Sequence, residues 1–280
     1  MHNNDSYINF VPETKSPKVK NDCDLFFIFD NNNNLLIKTL DEEISILTAK
    51  DILSLNFKDT NELFLGKFNG LACYTYKIDN AIKLPSNFQF LSLRALGLQL
   101  PTPLTSVCAR ARKILNWRDT NQFCGRCGNQ INQLEKERAM KCPKCGLLIF
   151  PKISPAIIVA VTKDDALLMA HNNNFREGLY SVIAGFVEPG ETFEECVKRE
   201  VYEETSIKVK DIKYFGSQPW PYPDSLMVAF TANYESGDIN VDGIELGHAD
   251  WFKSTALPML PPKDSIARSL IDNFISNQNS

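Results

Sequence analysis

Two pairs of cysteines constrain this chain more than any other feature. Cys124-Gly125-Arg126-Cys127-Gly128 and Cys142-Pro143-Lys144-Cys145-Gly146 repeat one Cys-x2-Cys-Gly pattern, with fourteen residues between the pairs. Two residues between thiolates let a tight turn present both sulfurs to one ion, and two such turns complete a tetrahedral zinc site; the glycine after each pair is expected to relieve crowding by a Cβ. A redox pair would not come in duplicate. Disulfides need an oxidising compartment, whereas Met1-His2-Asn3-Asn4-Asp5-Ser6 has neither a basic nor an apolar signal region, so a reducing, cytoplasmic setting is expected. Four thiolates leave no open coordination position for water. The zinc on Cys124, Cys127, Cys142 and Cys145 is therefore expected to be structural, a staple between domains. Cys23, Cys73, Cys108 and Cys196 stand singly and read as small buried hydrophobes.

At 280 residues the chain is long enough for more than one core. Its longest apolar stretch, around Ala156 to Val161, falls far short of the roughly twenty residues of a spanning helix, so no membrane association is expected. A net charge of -4 argues against broad attraction to nucleic-acid backbone and leaves room only for a local basic patch. Arg110, Arg112, Lys113, Arg118, Arg126 and Lys144 could form such a track, or simply a solvated helix face.

The sequence divides into a β-rich N-terminal domain ending in a helix (1–119), the four-cysteine ribbon (120–150) and a mixed α/β domain (151–280). In the first, Leu25 to Phe29 and Leu35 to Ile37 read as strands. Asn69-Gly70 between two apolar runs predicts a type I′ hairpin, because both central residues need positive φ. Thr105 is the expected cap of a helix carrying Val107, Ala111, Ile114 and Leu115. In the last domain, strands are expected at Ala156–Thr162, Ala166–Ala170, Ser181–Val187, Ile207–Phe215, Leu226–Tyr234 and Ala249–Lys253, with helices from about Thr192 and Lys263. The asparagine runs 32–34 and 172–174 read as loop tips.

The helix from Thr192 is the most informative element. Thr192 with Glu195 forms a capping box, and Phe193, Val197 and Val201 make the expected buried stripe. At about 100° per residue, Glu204 falls nearly in line with Val197, where a charge needs a partner. Glu200, Glu203 and Glu204 crowd the C-terminal end, where like charges repel and the helix dipole disfavours anions. One reading is a solvated acidic face relieved by Lys198 and Arg199. The favoured reading is a hard divalent cation, Mg²⁺ or Mn²⁺, which turns the repulsion into ligation.

Gly185, five residues, Glu191, seven residues, then Arg199-Glu200-Val201-Tyr202-Glu203-Glu204-Thr205-Ser206-Ile207 resembles the Nudix box, whose family hydrolyses nucleoside diphosphates linked to another moiety. Ser217-Gln218-Pro219-Trp220-Pro221-Tyr222-Pro223-Asp224-Ser225 is similar to the motif of the family's NADH pyrophosphatase branch, which also carries a four-cysteine ribbon. The resemblance spans roughly Arg94 to the C-terminus. It implies a Nudix α/β/α sandwich with a mixed sheet. It also implies divalent-ion binding by Glu200, Glu203, Glu204, Glu245 and the carbonyl of Ala184, catalysis by Glu203 and Glu204, and orientation of the glutamates by Arg199. Substrate contacts would fall on Arg94, Phe150, Gln218, Pro219, Trp220, Pro221, Tyr222, Pro223, Asp224, Ser225 and Ala267, with Phe186 a stacking partner for a base. The sequence departs from the pattern at Ser206, which replaces the box glycine, and at Phe150, where the branch often has tyrosine.

The activity implied is cleavage of NAD(H) at its central pyrophosphate into NMN(H) and AMP, and removal of NAD caps from RNA 5′ ends. The resemblance also implies a homodimer. Alternatives are a Nudix hydrolase preferring ADP-ribose or a dinucleoside polyphosphate, or a non-catalytic nucleotide sensor, against which the intact glutamates speak. His171 and His248 are assigned no role. Trp220 reads as part of a rigid shaped loop, because the run Pro219 to Pro223 alternates proline with aromatic residues.

Overall fold

A computed structural model describes residues 10–57, 61–78, 83–97, 99–220, 224–241 and 243–278. The chain forms two compact units, Met1–Lys152 and Ile153–Ser280.

The first unit opens with β1 (Phe10–Pro12), β2 (Leu25–Phe29), β3 (Leu35–Leu40), β4 (Glu43–Ser45), β5 (Leu47–Thr48) and α1 (Ala49–Leu55). It continues through β6 (Leu63–Phe68), β7 (Leu71–Lys77), β8 (Phe88–Leu91), α2 (Leu93–Leu96) and α3 (Thr102–Thr120). The strands make one sheet in the order β1-β6-β7-β2-β3-β4, with β5 on β2 and β8 on β3. Strand β2 is apolar throughout because both its faces are covered. Phe27 and Phe29 join the core with Ala111 and Leu115 of α3, while Phe26 and Ile28 join the one with Ala49 and Ile52 of α1. The β6–β7 turn has Asn69 and Gly70 at φ 50° and 81°, as the hairpin signal requires.

Three short strands, β9 (Asn132–Gln133), β10 (Met140–Lys141) and β11 (Leu148–Ile149), form the ribbon's sheet. Cys124, Ile131, Met140 and Cys142 are buried in the same core as the α3 face of the larger sheet, so ribbon and N-terminal sheet consolidate as one unit.

Helix α3 begins at Thr102, with Pro101 at its N-cap, not at a Thr105 cap, because Pro103 is tolerated in the first turn, where its missing N–H costs nothing. Thr105 instead bonds back through its hydroxyl to the Pro101 carbonyl at 3.2 Å. Cys73, Cys108 and Cys196 are buried as expected, but Cys23 is exposed.

The second unit contains β12 (Ser154–Lys163), β13 (Ala166–Asn172), β14 (Ile183–Phe186), α4 (Phe193–Thr205), β15 (Lys208–Trp220), β16 (Ser225–Ser236), β17 (Leu246–Lys253) and α5 (Ile266–Gln278). The mixed sheet runs β15-β16-β12-β13-β17, with β14 on β12 and the β12–β16 pair parallel. Alternation along β12 makes it a sandwich. Ile157, Val159 and Val161 pack toward Val197 and Val201 of α4, and Ile158 and Ala160 toward Leu270 and Ile271 of α5.

Strand β15 overruns its expected end at Phe215 and pairs through Pro219↔Leu226 to Trp220↔Ser225. Pro219 and Trp220 thus belong to a strand rather than a loop. Strand β15 is the edge of its sheet, where a missing proline donor is tolerated. Pro221, Tyr222 and Pro223 lie outside the described residues.

Candidate active site and zinc centre

In the ribbon, the Cys124 and Cys145 sulfurs lie 3.5 Å apart, as do those of Cys127 and Cys142, and all four fall within 4.8 Å of one another. Zinc–sulfur bonds of about 2.3 Å in a tetrahedron put sulfurs roughly 3.8 Å apart, so the donor set fits zinc. Backbone N–H groups, that of Cys145 foremost, pull the Cys142 thiol down to about 6, which favours the thiolate a metal needs. Gly128 and Gly146 sit at φ 70° and 74°, and each donates its N–H to the carbonyl of its pair's first cysteine, at 2.8 and 3.0 Å. A Cβ at either would meet nothing within 4 Å. The glycines therefore serve the left-handed backbone, not relief of crowding.

Helix α4 starts at the expected capping box. Thr192 Oγ1 accepts from Glu195 N at 3.2 Å, and Glu195 Oε2 accepts from Thr192 N at 2.8 Å. The buried side chains are Cys196, Val197, Val201 and Thr205, whereas Phe193 is exposed. At the far end Ser206 adopts φ 61°, ψ 12°, its N–H reaching the Tyr202 carbonyl. The serine takes the left-handed conformation that glycine would take without strain, and its hydroxyl donates to the Asn240 carbonyl at 3.3 Å.

Arg199 is the hub of the helix. Its Nε and Nη2 grip Glu191 at 2.8 and 2.9 Å, Nη1 reaches Glu200 at 2.8 Å and Glu203 at 3.0 Å, and Nη2 also donates to the Phe186 carbonyl at 2.9 Å. The fork holds the Glu191 carboxyl down at about 2 and raises the Arg199 guanidinium above its ordinary value. Glu200 is pushed the other way. Burial raises its pKa, Arg199 opposes that, and the negative charges of Glu203 and Glu245 add to the rise.

Glu200 reaches its place because residue 185 is glycine: a Cβ there would land on the Glu200 carboxyl group. Gly185 lies opposite Ile157 and Ala184 opposite Ile158 in the β12–β14 ladder, which brings the Ala184–Phe186 backbone alongside α4. Glu204 is half-buried, as its place beside Val197 implies, and Glu203 is exposed. Among the described residues, the four cysteines are the one set of three or more His, Cys, Asp or Glu whose ligand atoms all lie within 4.8 Å. Glu191, Glu200 and Glu203 are instead gathered around Arg199.

Of the expected substrate residues, Phe186 is 56% exposed directly after Gly185, and Trp220 at the end of β15 is 37% exposed. Gln218 spends its amide on α5, its Nε2 donating to the Asp264 carbonyl and its Oε1 accepting from Ile266 N, both at 2.8 Å. Ala267 is buried in the α5 core, and Ser225 is buried opposite Trp220. Asp224 Oδ1 accepts from the Ser154 hydroxyl at 3.3 Å. Arg94, on α2, and Phe150, which is 55% exposed, belong to the first unit. Of the basic residues of α3, Arg118 donates to the Asn61 carbonyl, and Arg110 lies over the Phe10 ring at 4.8 Å.

Asn172 and Asn173, which read as a loop tip, are bonded to the segment carrying Glu245. Tyr180 meets His248 Nδ1 at 3.0 Å, and His171 Nδ1 contacts the Leu179 carbonyl at 2.8 Å.

A mixed sheet between two helix layers, with a glutamate-rich helix braced on a glycine strand, is the architecture of a Nudix hydrolase. Family matches cover most of the chain: an NADH pyrophosphatase-like rudimentary NUDIX domain over residues 23–117, an NADH pyrophosphatase zinc ribbon domain over 119–150, and a NUDIX domain over 152–274. The NAD-capped RNA hydrolase NudC of Pseudomonas aeruginosa is 42% identical over 76% of this chain and 77% of its own length. That of Photobacterium profundum is 39% identical over 87% and 89%. A NUDIX hydrolase crystal structure from Nitrosomonas europaea aligns with a TM-score of 0.45 at 22% identity, covering 56% of this chain and 90% of that one. The chain belongs to the NADH pyrophosphatase (NudC) branch of the Nudix family. Its cofactors follow from its domains: structural zinc in the ribbon and a catalytic Mg²⁺ or Mn²⁺ in the Nudix domain. Among the described residues no helix is long and apolar enough to cross a membrane.

Proposed function

We propose that this protein hydrolyses the central pyrophosphate of NAD(H), releasing NMN(H) and AMP, and removes NAD caps from RNA 5′ ends. The observation that carries the chemistry is Glu200, a half-buried carboxylate lodged against Gly185 with the negative charges of Glu203 and Glu245 acting on it. Arg199 brings a single positive charge to Glu191, Glu200 and Glu203 together, so a divalent cation would relieve the negative charge it leaves. The substrate is supported by relatives at about 40% identity that bear the name NAD-capped RNA hydrolase NudC.

In this reading Glu200, Glu203, Glu204 and Glu245, with the Ala184 carbonyl, hold the divalent ions. Bound Mg²⁺ or Mn²⁺ neutralises charge on the phosphoryl oxygens and acidifies the attacking water. Arg199 fixes Glu200 and Glu203 through one nitrogen while its other two clamp Glu191, so the carboxylates are oriented before substrate arrives. Glu203, Glu204 or a residue outside the box takes the proton from water. Phe186 and Trp220, both exposed, present aromatic faces for the bases, with Pro219, Pro221, Tyr222, Pro223 and Asp224 as further contacts, whereas the side chains of Gln218, Ser225 and Ala267 are engaged or buried within the fold. The three segments 1–119, 120–150 and 151–280 act together in a cytoplasmic homodimer, an assembly that light scattering tests.

Chromatography of products from NADH, NAD-capped RNA, ADP-ribose and a dinucleoside polyphosphate, with Mg²⁺ or Mn²⁺ and with Glu204→Gln as control, tests the reading. Metal-dependent AMP and NMNH, lost in the variant, are expected. Cleavage of another substrate with NADH left intact overturns the specificity; NADH bound but uncut overturns the enzyme.

A further inference from the structure

Glu245 lies outside any regular element, on the irregular stretch 243–245 just ahead of β17. A carboxylate on irregular backbone has no ladder to aim it, so whatever immobilises it sets how ready it is for an ion. In this protein one residue does most of that. Asn173 bonds three successive carbonyls: its N–H donates to Glu245 at 2.9 Å, and its Nδ2 to Ile244 at 2.9 Å and Gly243 at 3.2 Å.

Its neighbour addresses the side chain. Asn172 Oδ1 accepts from the Asn174 N–H at 2.9 Å, which fixes the amide the other way round and leaves Nδ2 to donate to Glu245 Oε1 at 3.3 Å. A carboxylate offers about four lone-pair sites, so one such bond orients the group and still leaves acceptors for an ion.

The register makes room for this clamp. Between β13 and β17, His171 faces His248 but Asn172 faces Leu246, so Gly247 is an extra residue opposite the shift. A Cβ on Gly247 would run into Asn173 Oδ1.

We infer that Asn172 and Asn173 are positioning residues of the divalent-ion site, holding the 243–247 segment so that the Glu245 carboxylate is aimed before the ion binds. The inference rests on the proposed role of Glu245 as a ligand, and the experiment separates the two. Neither asparagine touches substrate; each acts through Glu245.

The test is Mn²⁺ binding to the full-length, zinc-loaded protein, read from the electron paramagnetic resonance of free Mn²⁺, with no substrate present. Asn172→Ala and Asn173→Ala are each expected to weaken Mn²⁺ about tenfold, the lower end of what loss of a ligand's hydrogen-bond partner does. The melting temperature of metal-free Asn172→Ala should stay at the parent value. At saturating Mn²⁺ its kcat should recover while the Mn²⁺ concentration for half activity stays raised. In a Glu245→Gln background, Asn172→Ala should cause no further loss, because the residue acts only through that carboxylate. Unchanged Mn²⁺ affinity in both asparagine variants, with affinity lost in Glu245→Gln, overturns the clamp alone. Unchanged affinity in Glu245→Gln overturns the ligand assignment and the clamp with it. Equal losses from Asn172→Ala with and without Glu245 make the asparagine merely structural, which also overturns the inference.

Discussion

Glu200 lays its carboxylate against the bare backbone of Gly185, in the space that any side chain at residue 185 would occupy. Glycine at residue 185 is thus a matter of room, since the contact is with a side chain from the facing helix rather than with its own backbone.

Gly185→Ala is accordingly expected to displace the Glu200 carboxylate at little cost in stability, because the atoms it meets are the end of a flexible side chain. Metal-dependent hydrolysis should fall by more than about tenfold, since a displaced ligand costs that much or more. Urea unfolding and initial rates on NADH would measure the two effects, and a variant as active as the parent would contradict the packing argument.

The Arg199–Glu191 fork predicts a pH dependence. Glu191 titrates at about 2 in the folded protein against 4.5 ordinarily, so it binds fewer protons folded than unfolded. Its contribution to stability is complete above 4.5 and drains away as pH falls toward 2. The stability lead of the parent over Glu191→Gln should stay level from neutral pH to about 5 and narrow below it. Urea midpoints across that range test this; a lead that held steady down to pH 3 would count against the fork.

Ser206 carries a left-handed backbone at φ 61° that glycine adopts freely. Ser206→Gly should stabilise the second unit by about 1 kcal/mol, less the hydroxyl bond to Asn240, and raise Tm by a few degrees. Calorimetry would show it. The ligands are untouched, so kcat should not move.

Zinc in the ribbon is expected at one equivalent per chain by elemental analysis. Structural zinc sites contribute roughly 10–16 kcal/mol, and Cys124 and Cys142 lie in the core shared with the N-terminal sheet. Chelation or Cys142→Ser should therefore melt the sheet as well as the ribbon, seen as loss of near-ultraviolet circular dichroism. Exposed Cys23 supplies the control: Cys23→Ser should change neither zinc content nor stability.

Much of this was legible in the chain because its signals are local. Cys-x2-Cys-Gly encodes a metal-binding turn within five residues, Asn69-Gly70 a reverse turn within two, and Thr192 with Glu195 a helix start within four. Each works through backbone conformation or a bond to a near neighbour, so the residues alone determine it. The crowding of Glu200, Glu203 and Glu204 was equally plain, since a single helix sets their spacing.

What the tertiary structure decided is which faces are covered and which distant segments meet. Proline and tryptophan at 219 and 220, locally a loop, become strand because β16 offers a partner and the edge position excuses the missing donor. The bond from Asn172 to Glu245 spans seventy-three residues, and its existence depends on a one-residue slip between β13 and β17. No local propensity encodes that slip; it arises only when both strands bury their apolar faces in the same sheet.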